Sequence, residues 1–173
     1  MASPGDARRA RAPGGDVRAA TADDLDALLA LIADYQRFYA GAARDDDHNA
    51  RFFARFIAPS DLGALLLAPG ADAAPAGYAC LYWTFSSVSA TDVVLLNDLY
   101  VRPEARGTGA GEALVAAAVD VARERGASHV RWWTTLDNRR AQRLYERLGA
   151  ERSAWFEYEI AVEVVDSTAR AAS

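Results

Sequence analysis

Apolar residues recur along the chain at two different spacings, and each spacing predicts one kind of element. From Leu25 to Ile32 they follow helical spacing, which predicts a helix over 22–40. Thr21 precedes this run, and Asp24 follows three positions after Thr21. This is an acidic variant of the capping box, a pattern that marks the start of a helix.

Strand patterns occur in both halves of the chain. Residues 76–86 alternate and are rich in aromatics, whereas 92–101 are continuously apolar apart from Asn97 and Asp98, as in a buried central strand. The element order β-α-α-β-β-β-α-β-α-β predicts an α/β domain with a mixed sheet, in which 92–135 form a βαβ unit. The other predicted elements are strands over 17–20, 62–68, 129–135 and 155–163, and helices around 52–57, over 109–125 and over 138–148.

The length of 173 residues suits one domain, and a hydrophobic content of 51% is enough to build a full core. We expect a single domain over 16–163. Residues 1–15 are rich in Ala, Arg, Gly and Pro, and we expect them and residues 164–173 to form mobile tails.

Charge and composition exclude several classes of function. A net charge of −5 argues against nucleic acid as the main partner, because phosphate binding favours a basic surface. Cys80 is the single cysteine, so the sequence has neither an internal disulfide nor a Cys/His zinc site, and no metal is expected. No apolar run has the length of a membrane span or the position of a signal segment, so we expect a cytoplasmic protein without a membrane partner.

A glycine-rich loop, Arg106-Gly107-Thr108-Gly109-Ala110-Gly111, links a predicted strand to a predicted helix. Helix N-termini expose unpaired N–H groups, and glycines let the backbone approach an anion closely, so such loops bind phosphate groups. The Walker spacing is absent, and the dinucleotide fingerprint fails because position 114 is leucine. A plain glycine turn before a helix remains an alternative.

The loop and a second motif resemble the GNAT family of N-acetyltransferases. Arg106, Gly109 and Gly111 match the family's Arg/Gln-x-x-Gly-x-Gly/Ala, and the strand 96–103 is typical of the segment before it. The pattern Asn-x-x-Ala-x-x-x-Tyr-x-x-x-Gly is also present, carried by Asn138, Ala141, Tyr145 and Gly149. Within the family, the motifs are most similar to yeast histone/polyamine and D-amino-acid acetyltransferases and to diamine acetyltransferases.

The resemblance implies that acetyl-CoA is the acetyl donor. Tyr145 would then donate a proton to the leaving thiolate of the coenzyme. The backbone of Leu99 and Val101 would pair with the pantetheine arm, and Asn138 would hydrogen-bond the coenzyme near that arm. The implied coenzyme-binding residues are Leu99, Tyr100, Val101, Arg106, Gly107, Thr108, Gly109, Ala110, Gly111, Asn138 and Ala141.

Helical geometry agrees with a shared role for the second motif. Positions 138 and 145 are seven apart, which brings them to the same side of a helix within roughly 20°. Ala141, Leu144, Tyr145 and Leu148 also form an ordinary core stripe, so Tyr145 as a core residue remains an alternative. The helix also carries four arginines that lie mostly off this face and are expected at the solvated surface, with contact to the 3′-phosphate of the coenzyme as the alternative: Arg139, Arg140, Arg143 and Arg147.

The sequence differs from the diamine acetyltransferases at the residue that would act as the general base. These enzymes carry a glutamate at the position of Asn97, and an amide does not accept a proton at neutral pH. Asp98 is adjacent, but neighbouring residues of a regular strand face opposite sides. Three alternatives therefore stay open: Asp98 acts as the base through a local bulge, water relays the proton, or the amine arrives neutral. A purely structural role for Asp98 is a further alternative.

The expected reaction is transfer of acetyl to the primary amine of a small molecule by direct attack on the thioester. Acetylation of a protein lysine or N-terminus, and a non-catalytic acyl-CoA sensor on the same fold, remain as alternatives. An edge strand at 155–163 would support a homodimer. Candidate acceptor-site residues are Tyr35, Tyr39, Asp45, Asp46, Asp47, Tyr82 and Trp83.

Overall fold

The computed structural model describes residues 17–42, 45–70 and 74–162, so the predicted terminal tails lie outside the described residues. Its elements are β1 (Arg18–Ala19), α1 (Leu25–Ala40), α2 (Asp46–Phe53), β2 (Gly63–Ala68), β3 (Gly77–Ser86), β4 (Thr91–Val101), α3 (Ala110–Glu124), β5 (Val130–Arg131) and α4 (Arg139–Arg147). Short 3₁₀ turns cover Ala22–Asp24, Ala54–Phe56 and Pro103–Ala105.

Within the described residues, one mixed sheet of five strands follows chain order from β1 to β5. Neighbouring strands are antiparallel from β1 to β4, and β5 pairs parallel to β4 across the α3 crossover. The predicted α/β fold with a mixed sheet and a βαβ unit is therefore confirmed.

Two helix starts are fixed by side-chain caps. At the first, the Thr21 backbone N–H donates to the Asp24 carboxylate at 2.7 Å, as the capping box predicts. At the second, the Asp45 carboxylate accepts from the His48 backbone N–H at 2.8 Å, so α2 begins at Asp46, earlier than predicted. No helix in the described ranges has the length and apolarity to cross a bilayer.

The two faces of the sheet bury separate cores. On one face, α3 packs its buried side chains, among them Leu114 and Ala118, against β2, β3 and β4. On the other face, Leu28 and Ile32 of α1 cover Tyr78 and Tyr100. The glycine loop lies where β4 turns into α3, so both cores anchor its ends.

A bulge interrupts β4 at Asn97. Cys80 pairs with Asp98 and Leu81 pairs with Leu96, so Asn97 is the extra residue of the ladder. Leu96 and Leu99 consequently both pack in the α3 core although they are three positions apart. The extra residue keeps apolar side chains on the correct faces before and after it.

The predicted strand over 155–163 is wrong for the single chain. Residues 155–162 have no regular secondary structure, and residue 163 lies outside the described residues. The apolar alternation is real, but a strand also needs a neighbour for its backbone hydrogen bonds. The predicted strand over 129–135 is likewise reduced to Val130–Arg131, because β5 leaves β4 after two paired residues.

Candidate functional site

A cavity of about 670 Å³ opens beside the C-terminal half of β4. It is bounded by the end of α1, the glycine loop with the start of α3, the segment after β5, and α4. Val94 and Leu95 are the β4 residues paired with β5. Beyond Leu95, the edge of β4 has no partner strand among the described residues, and this separation creates the cavity.

The glycine loop forms one end of the cavity. Gly107 and Gly109 have φ values of +91° and +96°, a conformation that other residues rarely adopt. A β-carbon at either position would meet nothing within 4 Å, so backbone conformation and not crowding requires glycine there. At Gly111 a β-carbon would lie 3.4 Å from Leu144 Cδ2 and 3.7 Å from Val101 Cγ2. The first N–H groups of α3 lie at this end, as anion binding requires.

The arginine of the loop is held in place by its own strand. Arg106 Nε donates to the Val101 carbonyl at 3.0 Å, and its guanidinium carbon lies 6.0 Å from the centre of the Phe38 ring. The hydroxyl of Thr108 donates to the Ala105 carbonyl at 2.8 Å, which braces the same turn. No hydrogen bond of the two terminal guanidinium nitrogens of Arg106 is found among the described residues, and a guanidinium is suited to bind an anion through two donors.

The arginines of α4 add positive charge to the cavity. Arg140, Arg143 and Arg147 line it, whereas Arg139 is not among the lining residues. All four side chains are exposed, as expected, and three of them also border the cavity because α4 lies along it. Together with Arg106, they make the wall near the glycine loop basic.

Asn138 and Tyr145 both face the cavity from α4, together with Ala141. Asn138 is the N-cap of α4, and its side-chain oxygen accepts from the Ala141 N–H at 3.2 Å. The amide nitrogen of Asn138 is thereby left to donate elsewhere. Tyr145 also contacts the α3 core, so this residue belongs both to the core stripe and to the cavity wall.

The Tyr145 hydroxyl is placed as a hydrogen-bond donor. Its ring packs against Trp132 with centroids 5.1 Å apart. Burial, with a smaller contribution from Tyr39, raises the pKa of Tyr145 to about 12. The hydroxyl therefore stays protonated at neutral pH.

Asp98 lies one layer behind the cavity wall. The bulge turns it towards α1, where it is 7% exposed. Its carboxylate accepts from the Asn97 amide nitrogen at 3.0 Å and from the Tyr35 hydroxyl. Burial raises its pKa to about 6, and these two hydrogen bonds oppose the rise. Tyr35 and Asn97 line the cavity, so both connect Asp98 to it.

The structure divides the residues named from the sequence into two groups. Most line the cavity, but Ala110 is buried in the core and Asp45 caps α2 away from the site. Asp46, Asp47, Tyr82 and Trp83 are not among the lining residues either. Three lining aromatics were not singled out from the sequence: Phe38, Trp132 and Trp133. The spacing of Phe38 from Tyr35, three positions on one helix, is the signal that identifies it.

Comparisons with known proteins agree with this geometry. The sequence model of the acetyltransferase (GNAT) family matches residues 26–150. The chain is 36% identical over 141 residues to the uncharacterized N-acetyltransferase YhfO of Bacillus subtilis, covering 82% of this chain and 93% of that protein. It is 32% identical over 133 residues to the D-amino-acid N-acetyltransferase of Saccharomyces cerevisiae, covering 76% of this chain and 82% of the yeast protein.

A crystal structure of a probable acetyltransferase shares the fold with a TM-score of 0.75 at 30% identity, covering 86% of this chain and 99% of that one. The chain therefore belongs to the GNAT family of acetyltransferases, and its relatives are N-acetyltransferases. The family resemblance inferred from the two motifs is confirmed.

Proposed function

We propose that the protein transfers acetyl from acetyl-CoA to the primary amine of a small molecule by direct attack of the amine on the thioester. One observation carries the proposal: a single cavity joins the glycine loop and the start of α3 to the Tyr145 hydroxyl. An anion-binding helix N-terminus and a proton donor are thus placed along one ligand path.

The residues of the cavity fit coenzyme A. The N–H groups at the start of α3, with Arg106, suit a pyrophosphate, and the three α4 arginines suit a further phosphate. The unpaired edge of β4 at Leu99 and Val101 offers backbone partners to the amides of a pantetheine arm. When bound, acetyl-CoA supplies an activated thioester, and a backbone N–H near Leu99 would stabilise the developing oxyanion.

Replacing Arg106 by alanine is expected to weaken acetyl-CoA binding ten- to a hundredfold. This range corresponds to the loss of a charge-assisted hydrogen bond of about 1.5–3 kcal/mol. Isothermal calorimetry measures it, with Arg139→Ala as the matched control because Arg139 lies outside the cavity lining. Equal affinities of Arg106→Ala and the native protein would contradict the role of Arg106.

Tyr145 would assist departure of the thiolate mainly as a hydrogen-bond donor. With the Tyr145 pKa at about 12 and a thiol at about 8.5, full proton transfer would be uphill by about 5 kcal/mol. Donation of a hydrogen bond to the developing negative charge does not require that transfer.

The proposal is tested by incubating the protein with acetyl-CoA and a panel of amines while thiol release is monitored. Release is expected with at least one small amine, and Tyr145→Phe is expected to lower kcat more than tenfold with little change in acetyl-CoA affinity. Unchanged turnover would remove Tyr145 from the mechanism. Tight acetyl-CoA binding without release from any amine would favour the sensor, and release only with peptides would favour a protein acetyltransferase.

We assign Asp98 as the residue that accepts the proton of the amine, through the Tyr35 hydroxyl or a water held beside Tyr35 and Asn97. The bulge is what makes this role available, since it turns Asp98 towards α1, where its carboxylate contacts both Tyr35 and Asn97. A carboxylate with a pKa of about 6 is ionised at neutral pH and is a stronger base than an ordinary aspartate.

The pH dependence of kcat/KM tests this assignment. A base must be deprotonated to act, so activity of the native protein is expected to fall as the pH drops through about 6. Burial raises the pKa values of the surrounding Tyr35, Tyr78, Cys80 and Tyr82, so these groups do not titrate in that range. Asp98→Asn is expected to lower kcat/KM at least tenfold and to remove this acid limb.

The control is Asp92→Asn, an exposed carboxylate on the same strand, which should keep the native pH profile. If the acid limb persists unchanged in Asp98→Asn, the base is elsewhere.

We also propose that the protein is a homodimer in which the 155–162 segment of each copy pairs with the free edge of the partner's β5. Trp155, Phe156, Tyr158, Ile160 and Val162 are between 81% and 91% exposed in the single chain. A contiguous apolar surface of this kind marks an interaction site.

The two faces of the segment match the two faces of β5. From Phe156 to Val162 the even positions are large and apolar, while Glu157 and Glu159 lie between them. On β5, Val130 packs against the α3 core and Arg131 is exposed. When the segment pairs with β5 and its apolar face points towards the α3 core, Glu157 and Glu159 lie on the same face as Arg131. Opposite charges on neighbouring strands then form favourable cross-strand pairs.

Sedimentation equilibrium is expected to show a dimer for the native protein and a monomer for Phe156→Glu/Ile160→Glu. Glu159→Gln, on the opposite face of the segment, is the control and should stay dimeric. A monomeric native protein, or a dimer that survives the double substitution, would contradict the proposal.

The cytoplasmic location stays a prediction from the sequence.

A further inference from the structure

Aromatic side chains form a second, chemically different part of the cavity lining. We name it the acceptor end, and it consists of Tyr35, Tyr39, Asn97, Trp132, Trp133 and Tyr145. The Tyr35 and Tyr39 rings lie 4.8 Å apart on α1, and the Trp132 and Tyr145 rings lie 5.1 Å apart on the other side. Both ring pairs line the same cavity.

Formal charge on the described cavity lining is positive, and none of it is carried by residues of the acceptor end. The described lining residues include four arginines and one acid, Glu112, which lies in the first turn of α3 beside the glycine loop. At the acceptor end, no described lining residue is a carboxylate. Asp98 is buried behind Tyr35 and already accepts two hydrogen bonds, and the Asp45–Asp47 run starts α2 away from the cavity.

This distribution of charged and aromatic side chains determines which classes of amine the site favours and which it disfavours. Polyamines and aminoglycosides carry several ammonium groups, and each one beyond the reacting amine needs a carboxylate to offset its desolvation. The acceptor end provides none, and the arginines repel additional cations. A single ammonium is instead favoured by the faces of tyrosine and tryptophan rings, and an apolar body is buried against the same rings.

We infer that the acceptor is a compact primary monoamine with an aromatic or apolar body, not a polyamine or an aminoglycoside. This inference rests on the proposed acetyl transfer and names the acceptor class for the same site. Two features set the specificity for the acceptor. The aromatic rings bind its one cationic group, and the proton of that group then leaves towards Asp98.

Initial rates with phenethylamine, spermidine and kanamycin at saturating acetyl-CoA test the inference. The kcat/KM for phenethylamine is expected to exceed the values for spermidine and kanamycin by at least tenfold. An equal or higher kcat/KM for spermidine or kanamycin would overturn the inference while leaving the proposed acetyl transfer intact. No transfer to any amine would instead count against the proposed function, and the inference would fall with it.

An added carboxylate should reverse the preference. Tyr39 is 54% exposed, so Tyr39→Glu is expected to keep the fold while raising the spermidine-to-phenethylamine ratio of kcat/KM at least tenfold. The KM for acetyl-CoA should not change, which separates this effect from general damage to the structure. Phe85→Glu, at a 75% exposed position of β3 outside the cavity lining, is the matched control.

Trp133→Glu gives a second test from the opposite wall, at a position that is 60% exposed. Circular dichroism and thermal melting check that each variant is folded. If both folded glutamate variants keep the native ratio, these aromatics do not select the acceptor and the inference is wrong.

Discussion

The separation of β4 from β5 after Leu95 is the constraint on which the rest of the site depends. Parallel strands normally share a continuous ladder, and ending it early leaves backbone groups that must find another partner. Here they border a cavity instead of a neighbouring strand. The two cores hold β4 from both faces, so its free edge keeps its shape without that strand.

The cavity lining has a charged part and an uncharged part. At one end, the start of α3 and the arginines create a field that suits phosphates. At the other end, uncharged rings and the Asn97 amide present polarizable and weakly polar surface. A ligand with one anionic end and one apolar reacting end is oriented by this division before any specific contact forms. Such pre-orientation contributes to rate because it lowers the entropy cost of bringing reactants together.

Local patterns in the sequence were sufficient for most of the fold. Helical spacing and the Thr21–Asp24 box located α1, and the glycines at positions 107, 109 and 111 located the turn between β4 and α3. The packing of one segment against another could not be predicted from these local patterns. That three α4 arginines reach the cavity depends on how α4 packs against the sheet, which local periodicity does not encode. The segment over 155–162 shows the same limit, because its alternation specifies a strand but not the neighbour that the strand needs.

The bulge at Asn97 also has an evolutionary consequence. Asn97 is exposed and belongs to neither apolar core, so its side chain is largely free of the volume limits that packing imposes on Leu96 and Leu99. Sequence drift at this position leaves both cores intact while altering the wall of the acceptor end. The limit on this drift is polar, because the Asn97 amide donates to the buried Asp98 carboxylate at 3.0 Å and a residue without a donor would leave that carboxylate with one partner fewer.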